Sequence, residues 1–80
     1  MGRTPAPAFY YPPGYAYRRW SVGMMLPAAF LSSRYFWDSY AHVGLPPPPP
    51  GARWVRYGPD LVLVEVPSGR IIEVAYGVFL

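Results

Sequence analysis

The sequence predicts a small α+β domain: a three-stranded antiparallel β-meander packed against an N-terminal segment that forms only short helical turns. Three observations carry this. Residues at about 52–57, 60–66 and 70–77 are β-branched and aromatic runs separated by turn residues. The 12 prolines and 8 glycines, a quarter of the chain, leave no room for a long uninterrupted helix. Eighty residues without a cysteine make one thin-cored domain with no disulfide to staple it, because a chain of this size buries only about 60% of the surface it exposes when unfolded.

Taken in order, residues 1–17 alternate proline with aromatics and show neither hydrophobic period, which reads as an extended Pro/Tyr-rich tail ahead of a domain over 18–80. No apolar stretch follows the basic start, Met1-Gly2-Arg3, so no secretory signal stands there. Arg18-Arg19-Trp20 before an apolar run resembles a twin-arginine export signal, but Pro27 interrupts the run, no small-residue cleavage pattern ends it, and it is too short to span a bilayer. Pro27 suits the start of one or two helical turns over Ala28–Ser33. Tyr35-Phe36-Trp37 favours extended backbone, Asp38 is placed to cap the turn that follows, and Gly44 to end that turn in the left-handed region, which puts His42 on the turn.

Pro46 to Pro50 donate no backbone hydrogen bond and prefer polyproline II. They form a rigid spacer between two halves of one domain. The alternative is a partner-binding role for Pro46, Pro47, Pro48, Pro49 and Pro50 in the groove of an SH3, WW or EVH1 module, although no basic residue immediately flanks the run.

Gly58-Pro59 supplies the first turn of the meander and Pro67-Ser68-Gly69 the second. With a three-residue second loop, Val64 faces Ile72 and Val62 faces Val74, making these four the expected core face. The opposite face carries Leu61, Leu63, Glu65, Ile71 and Glu73, a mixed set that calls for partial cover. Three strands need a second layer, and the segment from Trp20 to Leu45 is its source, with Trp20 and Trp54 as core residues. Val78-Phe79-Leu80 is an apolar end suited to extending the last strand or covering a neighbour's edge, which implies weak self-association.

Aromatic residues make up 19% of the chain and charged residues 14%, against about 25% charged in an average domain, which argues against disorder throughout. All seven basic residues are arginines and the net charge is +3, but they are scattered along the chain, so nucleic acid is not an expected partner. The absence of cysteine removes thiol catalysis and cysteine-ligated zinc. Ser32, Ser33 and Ser39 near the single histidine form no nucleophile motif, and Glu65 and Glu73 read as solvated strand acids, so no catalytic residue is assigned and an enzyme is not expected.

The ordered landmarks Trp20, Gly23, Leu26-Pro27, Tyr35, Asp38, Gly44-Leu45, the Pro-Pro-x-Gly ending at Gly51, Trp54-Val55-Arg56, Asp60, Leu63-Val64 and Ser68-Gly69-Arg70-Ile71 resemble the RcnB-type domain of bacterial envelope proteins. The resemblance implies a non-enzymatic α+β domain in the periplasm or cell envelope, with an envelope partner and a role in nickel and cobalt homeostasis. It departs from the family pattern in two places. Relatives commonly carry an export signal and a stretch rich in histidine, aspartate and arginine, where this chain has its Pro/Tyr-rich start, and Asp38-Ser39 stands where relatives commonly have Asp-Tyr.

Nickel or cobalt would enter by this resemblance alone. Both metals prefer imidazole, supported by thiolate, carboxylate or thioether. The chain offers His42, four carboxylates, Met24 and Met25, with no pair at ligand spacing, so His42 reads first as a surface residue and the methionines as core filler. A metal would be met by His42 with Asp38, one helical turn away, as a low-affinity or intermolecular site. The expected function is thus an RcnB-like envelope domain that binds rather than catalyses; the alternative is a proline-rich adaptor read through Pro46–Pro50.

Overall fold

The computed structural model describes Pro5 and residues 8–79, so the readings of the Met1-Gly2-Arg3 start and of Leu80 lie outside the described residues. Three strands form the meander: β1, Ala52–Tyr57; β2, Asp60–Glu65; and β3, Ile71–Ala75. They lie side by side in sequence order and pair antiparallel, as the runs of valine, leucine and isoleucine imply. Gly58 and Pro59 join β1 to β2 with Tyr57 opposite Asp60. The positive φ of Gly58, 59°, followed by a proline matches the tight hairpin turn whose first central residue must be left-handed.

The domain is mostly β. Among the described residues its helical content is two single 3-10 turns, Ala28–Phe30 and Tyr40–Val43, so the α half of the expected α+β class is reduced to turns. Pro27 does set the start of the first, but the breaker-free stretch is too brief to repay the cost of nucleating an α-helix, and the Ser32-Ser33 pair draws the chain into further turns. Gly44, at φ 77°, ends the second as anticipated. Asp38 does not cap it: Ser39 holds the N-cap position with no side-chain bond, and Asp38 turns outward to Arg53.

The strand ends are also shorter than the pattern suggested. β2 stops at Glu65; the Val66 N–H makes one further in-register bond to the carbonyl of Gly51, and Pro67, with no N–H, follows it. β3 stops at Ala75 because Tyr76 and Gly77 turn the chain, and the Gly77 N–H is taken by the Asp60 carboxylate at 2.8 Å.

A β-bulge corrects the expected face assignment. Val62 faces Val74, but Val64 faces Ile71, and Ile72 is the extra residue with no partner on β2. A regular ladder would put Val64 against Ile72; the added residue moves Ile71 to the face of Val62 and Val64 and sends Ile72 to the other.

Both faces are therefore buried. On the first, Val55, Tyr57, Val62, Val64 and Ile71 meet Trp20, Leu26, Phe30 and Tyr35 from the N-terminal half. On the second, Trp54, Leu61 and Leu63 meet Phe79, with Trp37, Tyr40, Val43 and Leu45 packed around them. Trp20 and Trp54 are both core residues, as expected from their bulk. Phe79 neither extends β3 nor reaches outward. Its N–H donates to the carbonyl of Pro59 and its ring is fully buried in its own chain, which deprives an edge contact between copies of this apolar anchor.

The same N-terminal half guards the sheet edges. Phe36 bridges Val55, while the Trp37 N–H donates to Trp54 and the Arg56 N–H to Tyr35, which satisfies the outer edge of β1. Met25 bridges Arg70 and the Leu26 N–H donates to Gly69, which covers the start of β3.

Candidate functional site

His42 sits near the end of the Tyr40–Val43 turn, exposed to solvent. Asp38 precedes that turn, its side chain 83% exposed, and accepts from the Arg53 guanidinium at 3.4 Å. No hydrogen bond or ion pair joins His42 to Asp38. The two are not on one helix, because the turn starts after Asp38. Met24 packs against the first core and Met25 is exposed beside Arg70. Among the described residues no three histidines, cysteines or acids gather as a metal would require. This donor set does not fit a closed, resident nickel or cobalt site, which needs several ligands converging from a supported shell.

The proline run is anchored at both ends. The carbonyl of Pro46 accepts the Trp54 indole N–H at 3.0 Å, and that of Pro49 accepts the Ala52 N–H at 3.0 Å. Pro46, Pro47, Pro49 and Pro50 are exposed and Pro48 is half-buried. The run thus leads into β1 while presenting most of its surface to solvent.

Two polar centres were not singled out as sites in the sequence. Asp60, buried at the head of β2, accepts from the Tyr17 hydroxyl at 2.6 Å and from the Gly77 N–H. That hydrogen bond to the carboxylate pushes the Tyr17 phenol up to about 12. Burial also raises the phenols of Tyr11 and Tyr57. The second centre is Arg56, only 9% exposed, whose Nε donates to the carbonyl of Gly58 at 3.1 Å. Its guanidinium lies 4.7 Å from the Phe79 ring centre and 5.4 Å from that of Phe9. Desolvation lowers its pKa from the usual arginine value. A charged residue between Val55 and Tyr57, in a strand otherwise turning buried, was the available signal.

Arg56 forms part of the wall of a groove of about 500 Å³ at the outer edge of β1, with Phe9, Tyr10, Arg34, Tyr35, Phe36 and Trp37 among its other lining residues. No helix among the described residues is long and apolar enough to cross a membrane.

The fold defines a small, mostly β domain built on a three-stranded antiparallel sheet. Residues 23–73 match the family model RcnB, described as nickel/cobalt transporter regulator, and the chain belongs to this family. One solved structure superposes with a TM-score of 0.66 at 29% identity, covering 72% of this chain and 70% of the other. No curated protein gives a significant match.

Proposed function

We propose that this chain is a non-enzymatic domain of the periplasm or cell envelope that serves nickel and cobalt homeostasis by contacting an envelope partner. The observation that carries the reading is the family match across both the edge-covering segment and the sheet. Any metal role for this chain's own donors is contact rather than storage, since no three of them gather among the described residues. His42 with Asp38 is an open pair that needs further donors from a second molecule, and Asp38 must first leave Arg53.

Calorimetric titration of Ni(II) and Co(II) into wild type and His42→Ala tests the metal contact. Weak heats in wild type that vanish in the variant are expected; identical traces end it. Metal content of cells lacking the gene tests the wider role: a change in nickel or cobalt, restored by the wild-type gene, is expected, and unchanged content contradicts it.

The exposure of the proline run favours a second reading, an adaptor docked through Pro46–Pro50. Alanine at Pro47, Pro48 and Pro49 separates the two. Loss of folding marks a spacer, and loss of one partner with folding intact marks a ligand.

A further inference from the structure

The groove at the outer edge of β1 combines aromatic walls with positive charge that has no carboxylate partner among the described residues. Phe9, Tyr35, Phe36 and Trp37 supply the apolar surface, and Arg34 and Arg56 the charge. No acid lines it. Among the described residues neither arginine has a carboxylate at ion-pair distance; the pair that forms is Arg53 with Asp38, on the exposed surface.

Arg56 is the less ordinary of the two. A guanidinium carries five N–H donors, and here only Nε has a partner among the described residues, the Gly58 carbonyl, although the side chain is nine-tenths buried. The rings of Phe9 and Phe79 hold the guanidinium in place by cation–π contact and leave its other N–H groups free for a ligand. The remaining donors form a planar fork, the geometry that recognises a carboxylate through two parallel hydrogen bonds. A volume of about 500 Å³ is within the range of small-molecule sites.

We infer that this groove binds a carboxylate carried on an aromatic stem, the acid on the guanidiniums of Arg56 and Arg34 and the ring against the aromatic walls. A peptide ending in phenylalanine and a free aromatic acid share this chemistry. The site is independent of His42 and Asp38, so it stands apart from the metal reading.

The test is an NMR titration of the full chain with N-acetyl-phenylalanine, its amide, an acetylated tripeptide ending in phenylalanine, and inorganic phosphate. The acids are expected to shift the Trp37 indole and Arg56 signals saturably, with the amide about tenfold weaker. Tighter binding of the tripeptide identifies a peptide terminus as the source; equal binding identifies a free acid. Arg34→Gln, on an exposed turn, should weaken the acids about tenfold with the fold intact, and Arg56→Lys should do the same by removing the fork. Should Arg56→Lys fail to fold, Arg34→Gln carries the test alone. Arg70→Gln, beside the start of β3 and outside the groove, should change nothing. Equal binding of acid and amide, phosphate matching the acids, unchanged affinity in Arg34→Gln, or no shift up to about 10 mM ligand would each overturn the inference.

Discussion

The two faces of the sheet are closed by different means. The first is roofed by a continuous aromatic mass from the N-terminal half. Tyr57 lies at its centre, with the rings of Phe9, Tyr11, Tyr17, Trp20 and Phe30 between 4.8 and 6.2 Å away, centre to centre, and its hydroxyl donating to the carbonyl of Ala16. The second is closed by one returning residue, Phe79, against Trp37 at 4.7 Å, with the 40–45 stretch around it. A chain this small stabilises one face by many mutually packed rings and the other by a single plug, so the faces should respond differently to truncation.

The largest expected effect is at the ring centre. Tyr57→Ala removes five ring contacts and a partly buried hydrogen bond, and a loss of about 3–5 kcal/mol should leave much of so small a domain unfolded, read by urea denaturation. Phe79→Ala should cost about 3 kcal/mol, with loss of Trp37 shielding while the Tyr57 cluster keeps its near-ultraviolet signal. Equal collapse of both clusters in the Phe79 variant would show that the faces are one unit.

This contrast also marks how far the sequence could be read. The three strands were legible because β-branched runs between Gly-Pro and Pro-Ser-Gly carry the period-2 signal strongly, and Trp20 and Trp54 were legible as core because few other side chains have their bulk. The bulge at Ile72 was not, since Ile71 and Ile72 are identical and either can face Val64. The second core was hidden in the same way, with Phe79 reaching it only after Gly77 turns the chain. Of the site, His42 and Asp38 were named by residue type and an assumed one-turn helical spacing, which the chain does not form because the turn begins after Asp38. The groove was missed because Phe9, Arg34 and Arg56 meet only in three dimensions.

Smaller changes sharpen the comparison at the edges. Gly69→Ala places a Cβ 2.7 Å from the Leu26 carbonyl at a φ of 85°, so it should cost about 2 kcal/mol and raise amide exchange at Leu26 and Ile71. Tyr17 offers a pH probe of the first face. Its pKa in the folded state, about 12, lies above its ordinary value of 10.0, so the stabilisation is complete below pH 10 and is lost as pH rises through about 12. Asp60→Asn should bring the phenol's absorbance titration back toward its ordinary range; an unchanged midpoint would remove the Tyr17 to Asp60 bond from the account. Smallest is Arg53→Ala, which breaks an exposed ion pair and should shift stability by less than about 1 kcal/mol.

The central claim, a sheet covered on both faces by separate aromatic groups, is tested most directly by a two-dimensional NOE spectrum of the aromatic region. Cross-peaks from Tyr57 to Phe30 and Trp20, and a second set from Trp37 to Phe79, with none joining the sets, are the predicted result. Absence of the Tyr57 cross-peaks, or Phe79 free of Trp37, would contradict it.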